Sequence, residues 1–253
     1  GHSPASQVVT EIDRRSEALI LDTLRPTLER FDLGLLSEAG DDDRSRLAKA
    51  FFWCIDPLDG TLPYVEATPG YAVSIALVAA DGTAELGVVF DPVEGRLFHG
   101  VRGGGLFRDQ QPWAWRPEPA RTALAVFADR SFETSPQRAE VLAGLAEICA
   151  ELSLGSPRLH TSAAAVMNAC SVLLESPACY FKFPKSQLGG GSSWDFAATA
   201  CLAHEAGAIA TDIHGDPLQL NRPDCTFMNH RGVLFATDEI LAARIRRLYR
   251  ELS

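Results

Sequence analysis

Apolar residues in the first half of the chain recur mostly at every second position, which predicts strands. Residues 71–78 and 86–90 alternate in this way, and Asp81-Gly82 between them is typical of a hairpin turn. An apolar run at 51–55 predicts a short buried strand, and a run at 33–37 predicts another strand. The first half is therefore expected to form a mostly antiparallel sheet with helices packed on it.

Helical periodicity precedes this strand-rich region and dominates the second half. Residues 10–31 carry apolar positions at helical spacing, and Pro26 is expected to kink or interrupt that helix. Beyond a proline-containing segment at 116–121, strands are expected to alternate with helices. The expected strands are 123–127, 179–183, 208–211 and 232–236, and the expected helices are 136–152, 161–175, 195–206 and 239–252. We therefore expect an α+β fold with two lobes, an antiparallel-sheet lobe over 1–118 and a smaller α/β lobe over 119–253.

The composition narrows the classes of function. The chain has 253 residues, 46% of them apolar, and its formal charge of −10 argues against a protein that binds nucleic acid through a basic surface. No apolar run is long enough to span a membrane, and the first residues lack the pattern of a signal peptide. The six cysteines include no C-x-x-C pair, so we expect no zinc site, and we expect reduced thiols in a cytoplasmic protein.

The stretch from Asp56 to Thr61, Asp-Pro-Leu-Asp-Gly-Thr, follows the buried strand and carries the strongest indication of chemistry. Pro57 is expected to end the strand because it has no N–H group. A Gly-Thr pair at the start of a helix presents free N–H groups to an anion, and the two carboxylates beside it suit a hard cation such as Mg²⁺. For the hexapeptide alone, a polar turn is the alternative interpretation.

Two further carboxylates favour a metal site over a turn. Glu38 follows one apolar run, and Asp195 follows Trp194 at the start of a predicted helix. For Asp195 the sequence also allows a helix N-cap. Clustered carboxylates repel one another, so such a site needs cations or raised pKa values.

Two motifs together resemble the inositol monophosphatase superfamily of Mg²⁺-dependent phosphomonoesterases. They are Asp56 to Thr61 and Trp194-Asp195-Phe196-Ala197-Ala198. The resemblance covers nearly the whole chain and implies a layered αβαβα sandwich. It also implies two or three Mg²⁺ ions, which neutralise the phosphate and activate a water. The ligands that it implies are Glu38, Asp56, the backbone carbonyl of Leu58, Asp59 and Asp195.

The same resemblance implies further roles. Glu38 and the hydroxyl of Thr61 would orient the attacking water, and the N–H groups of Gly60 and Thr61 would bind the phosphate. Asp59 would be indispensable for turnover. Asp13 matches a carboxylate that borders a third, weaker metal position, although an acidic residue near a helix N-terminus is an equal alternative.

The substrate is less well defined by the sequence. Lys182 lies where inositol-specific members of the superfamily have a glutamate, and Lys182, with Lys185, could meet a second phosphate. A surface lysine at the end of a strand is a nearly equal alternative. We therefore expect a 3'(2'),5'-bisphosphate nucleotidase, with an inositol monophosphatase or a related sugar-phosphate phosphatase as the alternative. A non-catalytic relative that binds a phosphorylated metabolite is a third possibility. The expected partner is a small phosphate ester rather than nucleic acid or membrane, and the family also allows a homodimer.

Overall fold

The computed structural model describes residues 4–115 and 122–253. Over these residues the fold is α+β, with two sheets and six α-helices. The expected fold class is therefore confirmed. The expected lobe boundary at 116–121 lies outside the described residues, so the division into 1–118 and 119–253 stays a prediction.

The first sheet has seven strands, which neighbour one another in chain order. They are β1 (Gly34–Ser37), β2 (Phe51–Asp59), β3 (Ala72–Ala79), β4 (Ala84–Asp91), β5 (Arg96–Val101), β6 (Gly105–Arg108) and β7 (Gln111–Pro112). β1 pairs with β2 in parallel, and every later pair is antiparallel. The alternating burial along β3 agrees with the pattern that predicted it.

The second sheet is mixed and has five strands in the order β11-β12-β10-β8-β9. They are β8 (Ala123–Phe127), β9 (Gly155–His160), β10 (Ala178–Lys182), β11 (Ile209–Thr211) and β12 (Val233–Ala236). β8 pairs in parallel with β9 and β10, whereas β12 pairs antiparallel with β10 and β11.

The helices form three layers around the two sheets. They are α1 (Pro4–Phe31), α2 (Thr61–Val65), α3 (Arg138–Glu151), α4 (Ala165–Leu174), α5 (Ser193–Ala206) and α6 (Glu239–Leu252). α1 packs on β1 and β2, α4 and α5 lie between the sheets, and α3 and α6 cover the far face of the second sheet. This arrangement is the expected αβαβα sandwich.

A single apolar cluster joins the two sheets through the central helices. Phe52 and Phe98 of the first sheet, Phe196 of α5 and Phe235 of the second sheet are all members of it, and each is at most 1% exposed. Burial of such side chains stabilises the fold by about 1.5–3 kcal/mol each. Because the cluster is continuous, residues from both halves of the chain are held in fixed relation at the junction of the sheets.

The structure contradicts an interruption of the first helix at Pro26 and the expected end of a strand at Pro57, and it adds one strand that was not expected. α1 runs without interruption through Pro26, and β2 runs through Pro57 to Asp59. The ladder with β3 pairs Asp56 with Ser74 and Asp59 with Ala72, so Pro57 lies in a bulge where its missing N–H group is not required. β9 was missed because it has few apolar residues and contains Pro157, which its place at the edge of the sheet allows.

All six cysteines are free, and five of them are buried. Among the described helices, none combines the length and the apolar character that a membrane crossing requires.

Candidate active site

The bulge of β2 carries two of the predicted aspartates. Asp56 is 1% exposed, and its Oδ1 accepts a hydrogen bond of 3.0 Å from the N–H group of Leu58. The hydroxyl of Ser16 on α1 donates to the carbonyl oxygen of Pro57 at 2.8 Å. The bulge is therefore held from within by Asp56 and from outside by the first helix.

Gly60 makes the turn that directs the chain from β2 into α2. Its φ angle is 95°, and a Cβ atom at this position would lie 2.9 Å from the Cα of Tyr71 and 3.0 Å from the Cβ of Ala164. Only glycine fits this position without strain. α2 begins at Thr61, as expected, and within the described residues the N–H groups of Gly60 and Thr61 donate no hydrogen bond. Thr61 itself is exposed.

Asp59 is fixed by the start of α4. Its Oδ2 accepts a hydrogen bond of 2.7 Å from the N–H group of Val166, which belongs to the first turn of that helix. A helix N-terminus favours a negative charge, so this contact lowers the pKa of Asp59 and opposes part of the increase that burial causes. The other oxygen of Asp59 has no donor among the described residues.

Asp195 reaches the site from α5 and also caps that helix. It is the third helical residue, and its Oδ2 accepts a hydrogen bond of 2.8 Å from the N–H group of Ser192. The hydroxyl of Ser74 on β3 donates to the carbonyl oxygen of Trp194 at 3.1 Å, which ties the start of α5 to the first sheet. The expectation that Asp195 is itself the N-cap was wrong, because Ser192 is the N-cap and Asp195 completes a capping box with it. This role uses one oxygen of Asp195 and leaves the other for a ligand.

These three aspartates converge in space. Asp56, Asp59 and Asp195 each present a carboxylate oxygen, and these oxygens all lie within 4.8 Å of one another. Asp56 Oδ2 is buried and has no hydrogen-bond partner among the described residues. A buried carboxylate oxygen without a donor is costly, and three carboxylates at this spacing suit a hard cation with oxygen ligands. The residues present therefore fit Mg²⁺.

Glu38 lies beside this cluster at the end of β1. Its N–H group donates to the carbonyl oxygen of Ile55 at 3.1 Å, so β1 delivers it alongside β2. Burial of its carboxyl group raises the pKa of Glu38 to about 6, the adjacent carboxyl group of Asp56 opposes the shift when the two share a proton, and the charges of Asp195 and Asp13 add to it. Asp13 is thus near enough to act on Glu38, and its own Oδ1 is buried without a partner.

The pKa values of the three aspartates are also raised. Burial is the largest cause for each, and the neighbouring carboxylates add to the shift for Asp56 and Asp59. Several contacts oppose the increase, including the Ser192 N–H group for Asp195. The charge of Lys182 lowers the pKa of Asp59 and Asp195, and the Val166 N–H group lowers that of Asp59. The metal-free cluster therefore carries unfavourable repulsion that a cation would relieve.

Lys182 is not a freely exposed lysine. It is the last residue of β10, its side chain is 15% exposed, and its ammonium nitrogen lies 2.6 Å from Asp129 Oδ2. The same nitrogen lies 5.5 Å from the ring centre of Phe196. Asp129 was missed in the sequence because nothing near it forms a motif. Only the parallel pairing of β8 with β10 brings the two residues together.

Two cavities meet at this ion pair. The smaller, about 310 Å³, is lined by Asp59, Gly60 and Asp195 together with Lys182 and Asp129. The larger, about 510 Å³, shares Lys182 and Asp129 and extends along aromatic and polar side chains. Its lining includes Phe132, Phe181, Phe183, Lys185 and Asn229. A ligand that meets the carboxylates can therefore continue past Lys182 into the second cavity.

Nearly the whole chain matches one known protein family. A family model described as the inositol monophosphatase family matches residues 1–252. The chain belongs to this family. Its members are metal-dependent phosphatases, so the chain is a metal-dependent phosphatase, and the resemblance noted in the sequence is confirmed.

Relatives of the chain carry two kinds of name. An inositol-1-monophosphatase from Bacillus subtilis strain 168 is 26% identical over 243 residues, which are 94% of this chain and 82% of that protein. The Nus factor SuhB from Pasteurella multocida strain Pm70 is 31% identical over 216 residues, which are 82% of this chain and 72% of that protein.

Solved structures agree on the fold. The inositol monophosphatase from Anabaena (Nostoc) sp. PCC 7120 superimposes with a TM-score of 0.72 at 24% identity and covers 98% of this chain and 91% of its own. Inositol monophosphatase II from Staphylococcus aureus MSSA476 gives a TM-score of 0.74 at 23% identity, with 98% and 87% covered. The assignment of individual residues to roles in this chain remains a prediction.

Proposed function

We propose that this metal-dependent phosphatase hydrolyses a small phosphate monoester that carries a second anionic group, of the 3'(2'),5'-bisphosphate nucleotide class. The observation that carries the proposal is the position of Lys182. Its ammonium group lies at the junction of the carboxylate cavity and the larger cavity, where the remainder of a bound ester would pass. A cation at that point favours an anionic leaving group.

The carboxylates would hold the metal. Glu38, Asp56, Asp59, Asp195 and the carbonyl oxygen of Leu58 form the proposed ligand set, and Asp13 borders a further position. Mg²⁺ ions bound there would neutralise the ester oxygens, activate water and stabilise the leaving oxygen.

The chain's own groups would orient the reactants. The free N–H groups of Gly60 and Thr61 would receive phosphate oxygens, since they have no other acceptor among the described residues. The carboxyl of Glu38, with its pKa raised to about 6, would accept a hydrogen bond from the attacking water and position it with the Thr61 hydroxyl.

The larger cavity supports a nucleotide. Phe132, Phe181 and Phe183 supply aromatic surface for a planar base, and Lys185 is a second cation on the same wall. A Staphylococcus aureus relative of similar fold has been solved with 2'AMP and with inositol monophosphate, and these ligands guide the choice of esters to test.

Inositol monophosphate is the second candidate, and a specific observation favours it. The ion pair with Asp129 offsets the charge of Lys182, so the site is less cationic than the sequence alone indicates. The hydroxyl groups of a neutral leaving group can accept a hydrogen bond from Lys182 and donate one to Asp129.

The test is phosphate release from 3'-phosphoadenosine 5'-phosphate (adenosine 3',5'-bisphosphate) and from inositol 1-phosphate, side by side, with Mg²⁺ and with a chelator. We expect Mg²⁺-dependent release with a higher kcat/KM for the nucleotide, and Lys182→Met should reduce that preference. A preference for inositol 1-phosphate would favour the second candidate. Release from neither ester would contradict both candidates and would show that the phosphatase acts on a different phosphate ester.

A further inference from the structure

Asp129 occupies the boundary between the two cavities, two residues after the end of β8. Its Oδ2 contacts the ammonium group of Lys182 at 2.6 Å, and its Oδ1 accepts a hydrogen bond of 2.9 Å from the hydroxyl of Tyr180. Tyr180 is completely buried. The carboxylate is therefore anchored on its inner side by a fixed donor, while its side chain remains 31% exposed to the cavities.

Besides Asp129, the groups close to the ammonium group of Lys182 include two aromatic rings. The rings of Tyr180 and Phe196 lie 5.9 Å and 5.5 Å from it, and the side chain is 15% exposed. Among the residues that the structure describes, Asp129 is the carboxylate that forms an ion pair with Lys182. A second phosphate that entered the larger cavity would approach the same ammonium group and would meet the negative charge of Asp129 beside it. Two anions would then compete for one cation.

We propose that Asp129 is a specificity-determining residue that competes with the second anionic group of a substrate for Lys182. The inference rests on the proposed function, since it assumes turnover of a phosphate ester at the carboxylate cluster. It concerns the part of the substrate that lies beyond the reacting phosphate. Asp129 lowers the selectivity for bisphosphates over monophosphates, and without its charge the same fold becomes more selective for bisphosphates.

The experiment compares two esters that differ only in the second phosphate, adenosine 3',5'-bisphosphate and adenosine 3'-monophosphate. Asp129→Asn keeps an oxygen for the Tyr180 hydroxyl and places an amide donor against the ammonium group, so Lys182 is released toward the cavity. We expect the ratio of kcat/KM for the bisphosphate to that for the monophosphate to rise about tenfold in this variant.

Two controls and a second variant isolate the effect of the Asp129 charge on the ratio. Lys182→Met removes the cation and keeps most of the side-chain stem, and in this background Asp129→Asn should leave the ratio unchanged. Asp32→Asn removes an equal charge from a remote exposed pair with Lys49 and should not change the ratio. Asp129→Ser repeats the test if the asparagine variant does not fold.

An unchanged ratio in Asp129→Asn would overturn the inference, as would an equal rise in the Lys182→Met background. Either result would leave the proposed phosphatase intact as long as the unaltered protein releases phosphate. If the unaltered protein releases none from either nucleotide, the proposed function fails by itself. In that case the dissociation constants of the two nucleotides are measured with Ca²⁺ in place of Mg²⁺. The ratio of these two constants, compared between the unaltered protein and Asp129→Asn, tests the role of Asp129 separately.

Discussion

We assign two roles to the side chain of Asp59. One oxygen is held by the N–H group of Val166 at 2.7 Å, and the other is free to bind a cation in the cluster with Asp56 and Asp195. Replacement by asparagine keeps the shape but removes the charge. It can also turn an amide donor toward a position that a cation would occupy, so the local charge balance changes more than the packing does.

For this reason we expect Asp59→Asn to lower kcat by at least about 10³-fold, because several kcal/mol of transition-state charge stabilisation depend on the metal. The measurement is initial rates of phosphate release at saturating Mg²⁺. Asp81→Asn, on an exposed hairpin turn, is the matched control and should retain full activity. Equal activity in both variants would contradict the role given to Asp59.

Sequence patterns were sufficient for the residues that lie in contiguous motifs. Asp56 and Asp59 follow a clear apolar run, and Asp195 follows Trp194 before a helix, so the two motifs together selected three aspartates that the fold brings close to one another. Asp129 and Val166 could not be predicted in this way. Their contacts with Lys182 and Asp59 depend on strand pairing and helix placement between segments that are distant in the chain.

At the scale of elements, the position of Asp195 depends on how closely α5 approaches β4. A Cβ atom added to Gly87 would lie 2.4 Å from the carbonyl oxygen of Ala198. The glycine therefore permits a close contact between helix and strand. Any side chain there displaces α5, and Asp195 moves with it.

We expect Gly87→Ala to lower the free energy of unfolding by about 1–3 kcal/mol, the usual cost of overpacking, and to weaken Mg²⁺ binding. Chemical denaturation and calorimetric titration measure the two effects. Gly40→Ala is the control, because a Cβ there would meet the flexible carboxylate end of Glu17 at 3.1 Å and the Cβ of Ser37 at an ordinary contact distance of 3.9 Å. A Gly87→Ala variant as stable as the control would contradict the close-contact argument.

Elements with strong periodicity were predicted well, and those fixed by tertiary pairing were not. The alternating burial of β3 and the ends of α6 agree with their patterns. The continuation of β2 through Pro57 was not predictable, because the bulge exists only through its pairing with β3. The continuation of α1 through Pro26 likewise contradicts the local preference of proline.

At the scale of the whole molecule, the carboxylate cluster connects parts of the chain that are far apart in sequence. Glu38, Asp56 and Asp59 come from the first sheet and its turn, and Asp195 comes from a helix between the sheets. A cation bound by all of them crosslinks the fold. The αβαβα layering was predictable from the order of elements and the family resemblance, whereas the two cavities that meet at Lys182 were not.

The raised pKa values set the pH dependence of the metal-free protein. The reference pKa values are 4.5 for Glu38 and 3.8 for Asp56, and both are raised in the folded state, that of Glu38 to about 6. A raised folded pKa contributes stability below the reference value and loses it as the pH rises through the folded value. The metal-free protein therefore loses the contribution of Glu38 between about pH 4.5 and pH 6, and losses from the aspartates add to it.

We expect Mg²⁺ to offset this loss, because it binds the ionised carboxylates of the folded state. At saturation Mg²⁺ should raise the melting temperature by about 5–10 °C at pH 7.5 and by less at pH 5. Thermal unfolding with and without a chelator at both pH values measures this. The double variant Asp56→Asn, Asp59→Asn should lose most of the difference, and an equal gain at both pH values would contradict the account.

The central claim is that Asp56, Asp59 and Asp195 hold the metal of a phosphatase. The most direct test is anomalous diffraction from crystals soaked in Mn²⁺, a hard cation that accepts the same oxygen ligands. The account predicts at least one peak at bonding distance from the carboxylate oxygens of all three aspartates, and no such peak in Asp59→Asn. Strong Mn²⁺ peaks elsewhere on the protein, with none between these carboxylates, would contradict it.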